Sequence, residues 1–329
     1  MHMTSDLWPE LPYDTWTSTR ESLHLWLQMI GKVRLSKSRW INHSWHSTLY
    51  VTSRGLTTSV IHDIDLSFSI DLDFIEHSLI IQSSDGGLTA IPLIEESVAS
   101  FHERFFHALN SLGISAEISE KPNEVPDAIP FPRDTIHCAY DAECANRFWR
   151  ILLQVDRLMK RFRSDFIGKV SPVHFFWGSN DLAVTRFSGR RAPEHPGGVM
   201  NLPDLVAKEA YSHEVSSCGF WPGSQVLPYP AFYSYAYPAP SGFEKAPIAP
   251  RDAFYHEQLR EFILPYESVR QSSNPDQMVL EFFQSTYEAA ANLGKWDREA
   301  LEGSPFMKAL QEQAHHKRTG RPDEKQKAA

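Results

Sequence analysis

The sequence predicts an α+β protein made of two fused copies of one unit, in which a helix, an antiparallel β-sheet and a second helix follow in order. Three observations carry this. Residues 23 to 61 lie against 149 to 187 at a constant offset of 126 without a gap, pairing Leu27-Gln28 with Leu153-Gln154, Trp40-Ile41 with Phe166-Ile167, and Leu49-Tyr50-Val51 with Phe175-Phe176-Trp177. Apolar residues recur at helical spacing at the start of each paired stretch and with a period of two in the segments that follow. The ends also correspond, more loosely: 91 to 98 (IPLIEESV) resembles 263 to 269 (ILPYESV), and each leads into a helix with a Phe-Phe pair, Phe105-Phe106 and Phe282-Phe283.

Each element has a local cause. After Tyr13-Asp14 and Tyr140-Asp141, the sets Leu23, Trp26, Leu27, Ile30 and Trp149, Leu152, Leu153, Asp156 each mark one helix face. Two hairpins follow, 47–53 with 56–62 around Arg54-Gly55, and 173–179 with 182–188 around Asn180-Asp181; Gly, Asn and Asp tolerate the positive φ of such turns. Phe68, Ile70, Leu72 and Phe74 alternate with Ser69, Asp71 and Asp73, as in a half-buried strand. Residues 79–81 and 88–93 form a further strand pair across Asp85-Gly86-Gly87. The chain then divides into a first unit (1–117), a Pro-rich linker or strap (118–136), a second unit (137–305) and a charged tail (306–329) with the composition of a disordered segment. Only the second unit carries long insertions, at 192–206 and 222–250, which read as surface elaborations or lids. Tyr233, Tyr235 and Tyr237 share one face of a strand between prolines, which predicts cover for a sheet edge.

Composition narrows the function classes. With 329 residues, 42% hydrophobic and 12% aromatic, the chain can bury a full core. A formal charge of −9 without basic clusters argues against nucleic acid and anionic membranes as partners. No apolar run reaches membrane-span length and the N-terminus has no signal-peptide pattern, so a cytoplasmic protein is expected. Cys138, Cys144 and Cys218 are an odd number without a C-x-x-C, which fits a reducing compartment. There is no P-loop, G-x-G-x-x-G or G-x-S-x-G.

Candidate site residues come from places where the copies disagree. Thr48 aligns with His174, Val60 with Arg186 and, through Ser69-Ile70-Asp71 against Ser212-His213-Glu214, Ile70 with His213. Strand alternation puts Arg186 on the face of Leu182 and Val184, where a buried charge needs a carboxylate, a network or a ligand. The expected site is a pocket in the second unit. His174 and His213 are its acid/base groups or metal ligands, Glu214 an orienting carboxylate, Arg186 and Arg190 anion anchors, and Trp177 and Trp221 walls. Each residue also has a plain structural reading, as a satisfied core histidine or a snorkelling arginine. His43 and His46, with His174 and His213, form a candidate set for zinc, iron or manganese, although no recognisable ligand spacing supports it.

The segments SPVHFFWGS (171–179), DLAVTRFSGRRAP (181–193) and SHEVSSCGFWPG (212–223), with WINHSWHSTLYVTSRGLTT (40–58) upstream, resemble those of a bacterial family catalogued as a domain of unknown function. The resemblance runs over residues 8 to 302 and implies a stand-alone bacterial protein without an assigned activity. The residues themselves favour a small-molecule enzyme with a His/Arg/Glu pocket, metal-dependent in one version. Its rivals are a non-catalytic binding protein for an acidic metabolite and a structural protein with a buried polar network. Cofactor, substrate and oligomeric state are left open by the sequence.

Overall fold

The computed structural model describes residues 7–303, so the tail at 306–329 falls outside the described residues. Two antiparallel sheets and their helices make a mixed α+β fold. The first unit holds α1 (Tyr13–Lys37), β1 (Tyr50–Val51), β2 (Gly55–Thr57), β3 (Ile61–His62), β4 (Ser67–Asp73), β5 (Ser78–Ser83), β6 (Leu88–Pro92) and α2 (Val98–Ser111). The second holds α3 (Ala142–Ser164), β7 (His174–Phe176), β8 (Asp181–Arg191), α4 (Asp204–Ala210), β9 (His213–Trp221), β10 (Ala231–Tyr237), β11 (Phe254–His256), β12 (Glu261–Pro265), α5 (Tyr266–Gln271), α6 (Pro275–Leu293) and α7 (Arg298–Leu301).

Helix starts are chemically marked. Ser97 accepts from the Ser100 amide, Asp141 from that of Cys144, and Asn274 from that of Gln277, each satisfying a first-turn N–H that lacks a helical partner. The first sheet runs β1-β2-β4-β5-β6, with β3 also on β4, and the second β7-β8-β9-β10-β12-β11. The sheets meet where Leu49 and Phe175 exchange backbone hydrogen bonds of 2.9 and 2.8 Å. These two residues stand 126 apart, so the junction joins positions that the sequence comparison made equivalent.

The hairpins differ in continuity. β8 is unbroken for 11 residues, whereas the matching stretch of the first unit is split into β2 and β3, with Ser59 at φ 56° between them. Strand pairing also corrects the expected register. Leu56 pairs with Leu72 and its counterpart Leu182 with Phe220, so Ile70, two residues before Leu72, corresponds to Cys218 and not to His213. One hydrophobic core runs through both units, joining the buried faces of α1, α2, α3 and α6 to Leu56, Ile70, Leu72, Leu79, Leu182, Val184, Phe220 and Phe232.

β10 is also a correction. It lies between β9 and β12, because its prolines flank the strand without interrupting either ladder. Its tyrosines therefore stand on a sheet face and do not cover an edge.

Candidate functional site

Antiparallel partners point to the same side of a sheet, and in the second sheet this sorts the residues cleanly. Leu182, Val184 and Arg186 of β8, with Cys218 and Phe220 of β9, face the helices. Asp181, Ala183, Thr185 and Phe187, with Val215, Ser217 and Trp221, face the other way. His174 and Phe176 of β7 pair with Ala183 and Asp181 and share that outer face. On it lies a pocket of about 360 Å³, completed by Tyr233 and Tyr235 of β10, Glu261 of β12, Leu259, and residues from outside the sheet. Those outside residues are Glu124 from the strap, His43 and Trp45 from the first unit, and Ala210 and Tyr211 at the end of α4.

His174 is 1% exposed, and neither of its ring nitrogens has a hydrogen-bond partner on another residue among the described ones. Burial lowers its pKa to about 4, partly offset by its own backbone, so the imidazole is neutral at neutral pH. Asp181 accepts hydrogen bonds from the hydroxyls of Ser179 and Tyr233. Burial raises its pKa, while these two donors favour the charged form. Glu124 is pushed up to about 7 and Glu261 to about 8, in each case mainly by burial and then by the charge of Asp181. Tyr211 and Tyr235 join hydroxyl to hydroxyl at 3.0 Å, and burial raises both. No Arg or Lys side chain lines this pocket among the described residues.

Gly219 makes the Tyr233–Asp181 contact possible. It lies on β9 between Ala183 of β8 and Tyr233 of β10, and a Cβ there would overlap the Tyr233 ring. Without a side chain in that place, the phenol lies across β9 and its hydroxyl reaches the carboxylate on the strand beyond. His43 is held at the rim. Lys169 Nζ lies 2.6 Å from His43 Nε2, which must therefore accept, and His43 Nδ1 then donates to Ala210 O at 3.0 Å. Burial and then the Lys169 charge lower the His43 pKa to about 4.

The residues chosen from sequence are dispersed over several places. His174 and Trp221 line the pocket. Arg186 stands on the opposite face of the sheet, donating to Phe162 O with its guanidinium carbon 3.5 Å from the Phe162 ring centroid and 4.3 Å from that of Tyr287. Glu214 is held by Arg190 at 2.6 Å and by Ser188 at 2.8 Å, away from the pocket. His213 lies beside His43, with ring centroids 6.2 Å apart, and desolvation, Lys169 and Arg191 lower its pKa. Trp177 belongs to an adjoining cavity, and His46 Nδ1 lies 3.1 Å from Ile41 N and 3.2 Å from Ile41 O, so it is engaged with the backbone of its own loop. His43, His46, His174 and His213 therefore form no common centre, and no group of three or more His, Cys, Asp or Glu among the described residues is placed to hold a metal ion. Asp181, Glu124, Glu261 and Tyr233 escaped the sequence comparison. Glu124 lies in the strap, outside the paired stretches, and Tyr233 and Glu261 lie beyond residue 187, where the gap-free alignment ends.

Together, fold and pocket define an α+β protein with an acidic and aromatic cavity on one sheet of its second unit. The chain belongs to the family of unknown function DUF5996, whose model matches residues 8–303. Searches of curated proteins and of solved structures returned no match. No helix among the described residues is long and apolar enough to cross a membrane.

Proposed function

We propose that this protein is a small-molecule enzyme that performs acid–base chemistry in the pocket of the second sheet, on a neutral or cationic substrate bearing hydroxyl or amine groups. The observation that carries this is His174, whose two ring nitrogens are buried in the pocket wall without a partner on another residue. A buried, unsatisfied polar group costs about 1–3 kcal/mol, a cost that makes sense where a substrate supplies the partner.

The neighbouring carboxyls divide the labour. Asp181, held by Tyr233 and Ser179, supplies the carboxylate. Glu124 and Glu261, kept protonated toward neutral pH by burial and by the charge of Asp181, are suited to donate a proton. Trp221, Phe176 and the tyrosines provide flat apolar walls. A pocket rich in carboxyls and lined by neither Arg nor Lys favours hydrogen-bond donors and cations over an acidic metabolite. Arg186 and the Arg190–Glu214 pair, the sequence-based anion anchors, are structural in this reading.

The test is turnover of a panel of neutral, cationic and anionic small molecules followed by mass spectrometry, with Asp181→Asn and Glu261→Gln as paired variants. A neutral or cationic compound should be consumed, and each variant should lose about 10²- to 10⁴-fold in rate while staying folded. Consumption of anions alone, or turnover untouched in both folded variants, would overturn the proposal. Tight binding without consumption would make the protein a carrier of the same class of molecule.

A further inference from the structure

Beside the inner pocket lies a second cavity of about 660 Å³, and the two share His43, Glu124, Phe176, Ser179, Ala210 and Tyr211 as walls. The shared walls place the two cavities side by side. Their chemistry differs. The inner chamber carries His174, Asp181 and Glu261, whereas the outer one is bounded by Ile118, Trp177, Val199, Leu202 and Val206.

The outer walls are held in place by built contacts. Trp177 donates its indole N–H to Ser47 O at 2.7 Å and lies so close to α1 that a Cβ at Gly31 would overlap its ring. The strap forms one side. Gln28 of α1 clasps Asn123 through its amide at 2.7 Å and its carbonyl at 2.8 Å, and Lys32 donates to Lys121 O at 2.9 Å. The first insertion forms the opposite side and is tied to the strap, with Asn123 donating to Asn201 O at 2.6 Å and Asn201 to Val125 O at 3.0 Å. Two segments that the sequence treats as unrelated, linker and insertion, thus line one largely apolar chamber, with Lys32 and Lys121 also on its wall, side by side with the carboxyl-lined one.

We infer that the site takes an amphiphilic amine, its amine head in the inner chamber among His174, Asp181 and Glu261 and its single apolar arm in the outer chamber against Trp177, Leu202 and Val206. The inference rests on the proposed function in taking the inner chamber as the reacting end, and it adds the shape and charge of the substrate. The amine matches a chamber lined by carboxyls with neither Arg nor Lys, and the unpartnered nitrogens of His174 mark where its hydrogen bonds fall. The arm matches the largely apolar wall of the cavity that adjoins that chamber.

Calorimetric titration of the full chain with n-butylamine, n-hexylamine and n-octylamine, and with alkyl carboxylates of the same lengths, tests this below their micelle concentrations. Affinity for the amines should rise by about fourfold per added methylene, the ratio that about 0.8 kcal/mol per buried methylene corresponds to. Val206→Trp, which fills the outer chamber, should abolish that rise, and Asp181→Asn should weaken every amine. A diazirine-bearing octylamine should crosslink to the 199–206 or 117–124 peptides, a readout that survives if Val206→Trp fails to fold. Amines that bind with no dependence on length would overturn the outer-chamber assignment and leave the proposed function standing. Failure of all amines, or preference for carboxylates, would overturn the head assignment and the cationic part of the proposed function together. A length effect equal in the wild type, Val206→Trp and Asp181→Asn, or crosslinks elsewhere, would place the chain outside this site.

Discussion

At the scale of single residues, the second sheet uses its two faces for different purposes. Arg186 and His174 stand 12 positions apart in the same hairpin, yet one is packed among Phe162, Phe166 and Tyr287 and the other lines the pocket. His174 was legible because Thr48, its partner at the 126 offset, cannot ionise. The decisive neighbours were hidden for a definable reason. Once register is known, Asp181 stands where the first unit has Gly55, Tyr233 where it has Ile80, Tyr235 where it has Gln82 and Glu261 where it has Leu88. All four correspond to residues on the face away from the helices, and for Tyr233, Tyr235 and Glu261 that correspondence needs the strand pairing, because they lie beyond the gap-free alignment. Arg186→Met separates the faces experimentally. A buried cation replaced by an apolar side chain of similar length should leave stability within about 1–2 kcal/mol, and ligand affinity should stay within about twofold. A folded Arg186→Met protein that no longer binds would return Arg186 to the site.

Among the elements, strap and insertion decide whether the outer face of a sheet becomes a site. On the far face of the first sheet Thr57, Ser69, Asp71 and Ile80 are only partly buried. The second is covered by Glu124 of the strap, by Tyr211 just after α4, and by contacts that pin the insertion to β10: Tyr237 donates to Pro193 O at 3.1 Å, and the rings of His195 and Tyr237 lie 5.2 Å apart. The prolines and glycines of 192–206 made an insertion visible in sequence. Nothing there indicated that the 118–136 linker would form the facing wall, because pairs such as Asn123–Asn201 exist only once the chain has folded. Hydrogen exchange of the bound and free protein should show protection of 192–206 and of 118–125 rising together when ligand binds. Protection confined to the β-strands, with both segments unchanged, would reject the lid role.

For the molecule as a whole, helix order, strand alternation and the second unit's hairpin were readable because periodicity and turn chemistry are local. Register was not, since only the pairing of strands reveals it. The pocket carboxyls also tie stability to pH. Glu124 and Glu261, raised from 4.5 to about 7 and about 8, add stability that is fully present below about pH 4.5 and is lost as pH rises through 7 and 8. His174 and His43, lowered from 6.5 to about 4, add stability that is present above 6.5 and lost as pH falls toward 4. Glu261→Gln should therefore raise stability relative to wild type at pH 9 more than at pH 5, by on the order of 1–2 kcal/mol once solvent screening of a partly exposed group is allowed for, read as a larger gain in melting temperature at pH 9. Parallel melting curves across that range would show that Glu261 titrates normally. The most direct test of the central claim is the crystal structure of the complex with whichever amine or polyol most raises the melting temperature. The account predicts ligand density bounded by His174, Asp181, Glu261 and Trp221, with a donor group within hydrogen-bonding distance of a His174 ring nitrogen. Density beside Arg186 or at the Arg190–Glu214 pair, with the pocket empty, would contradict it.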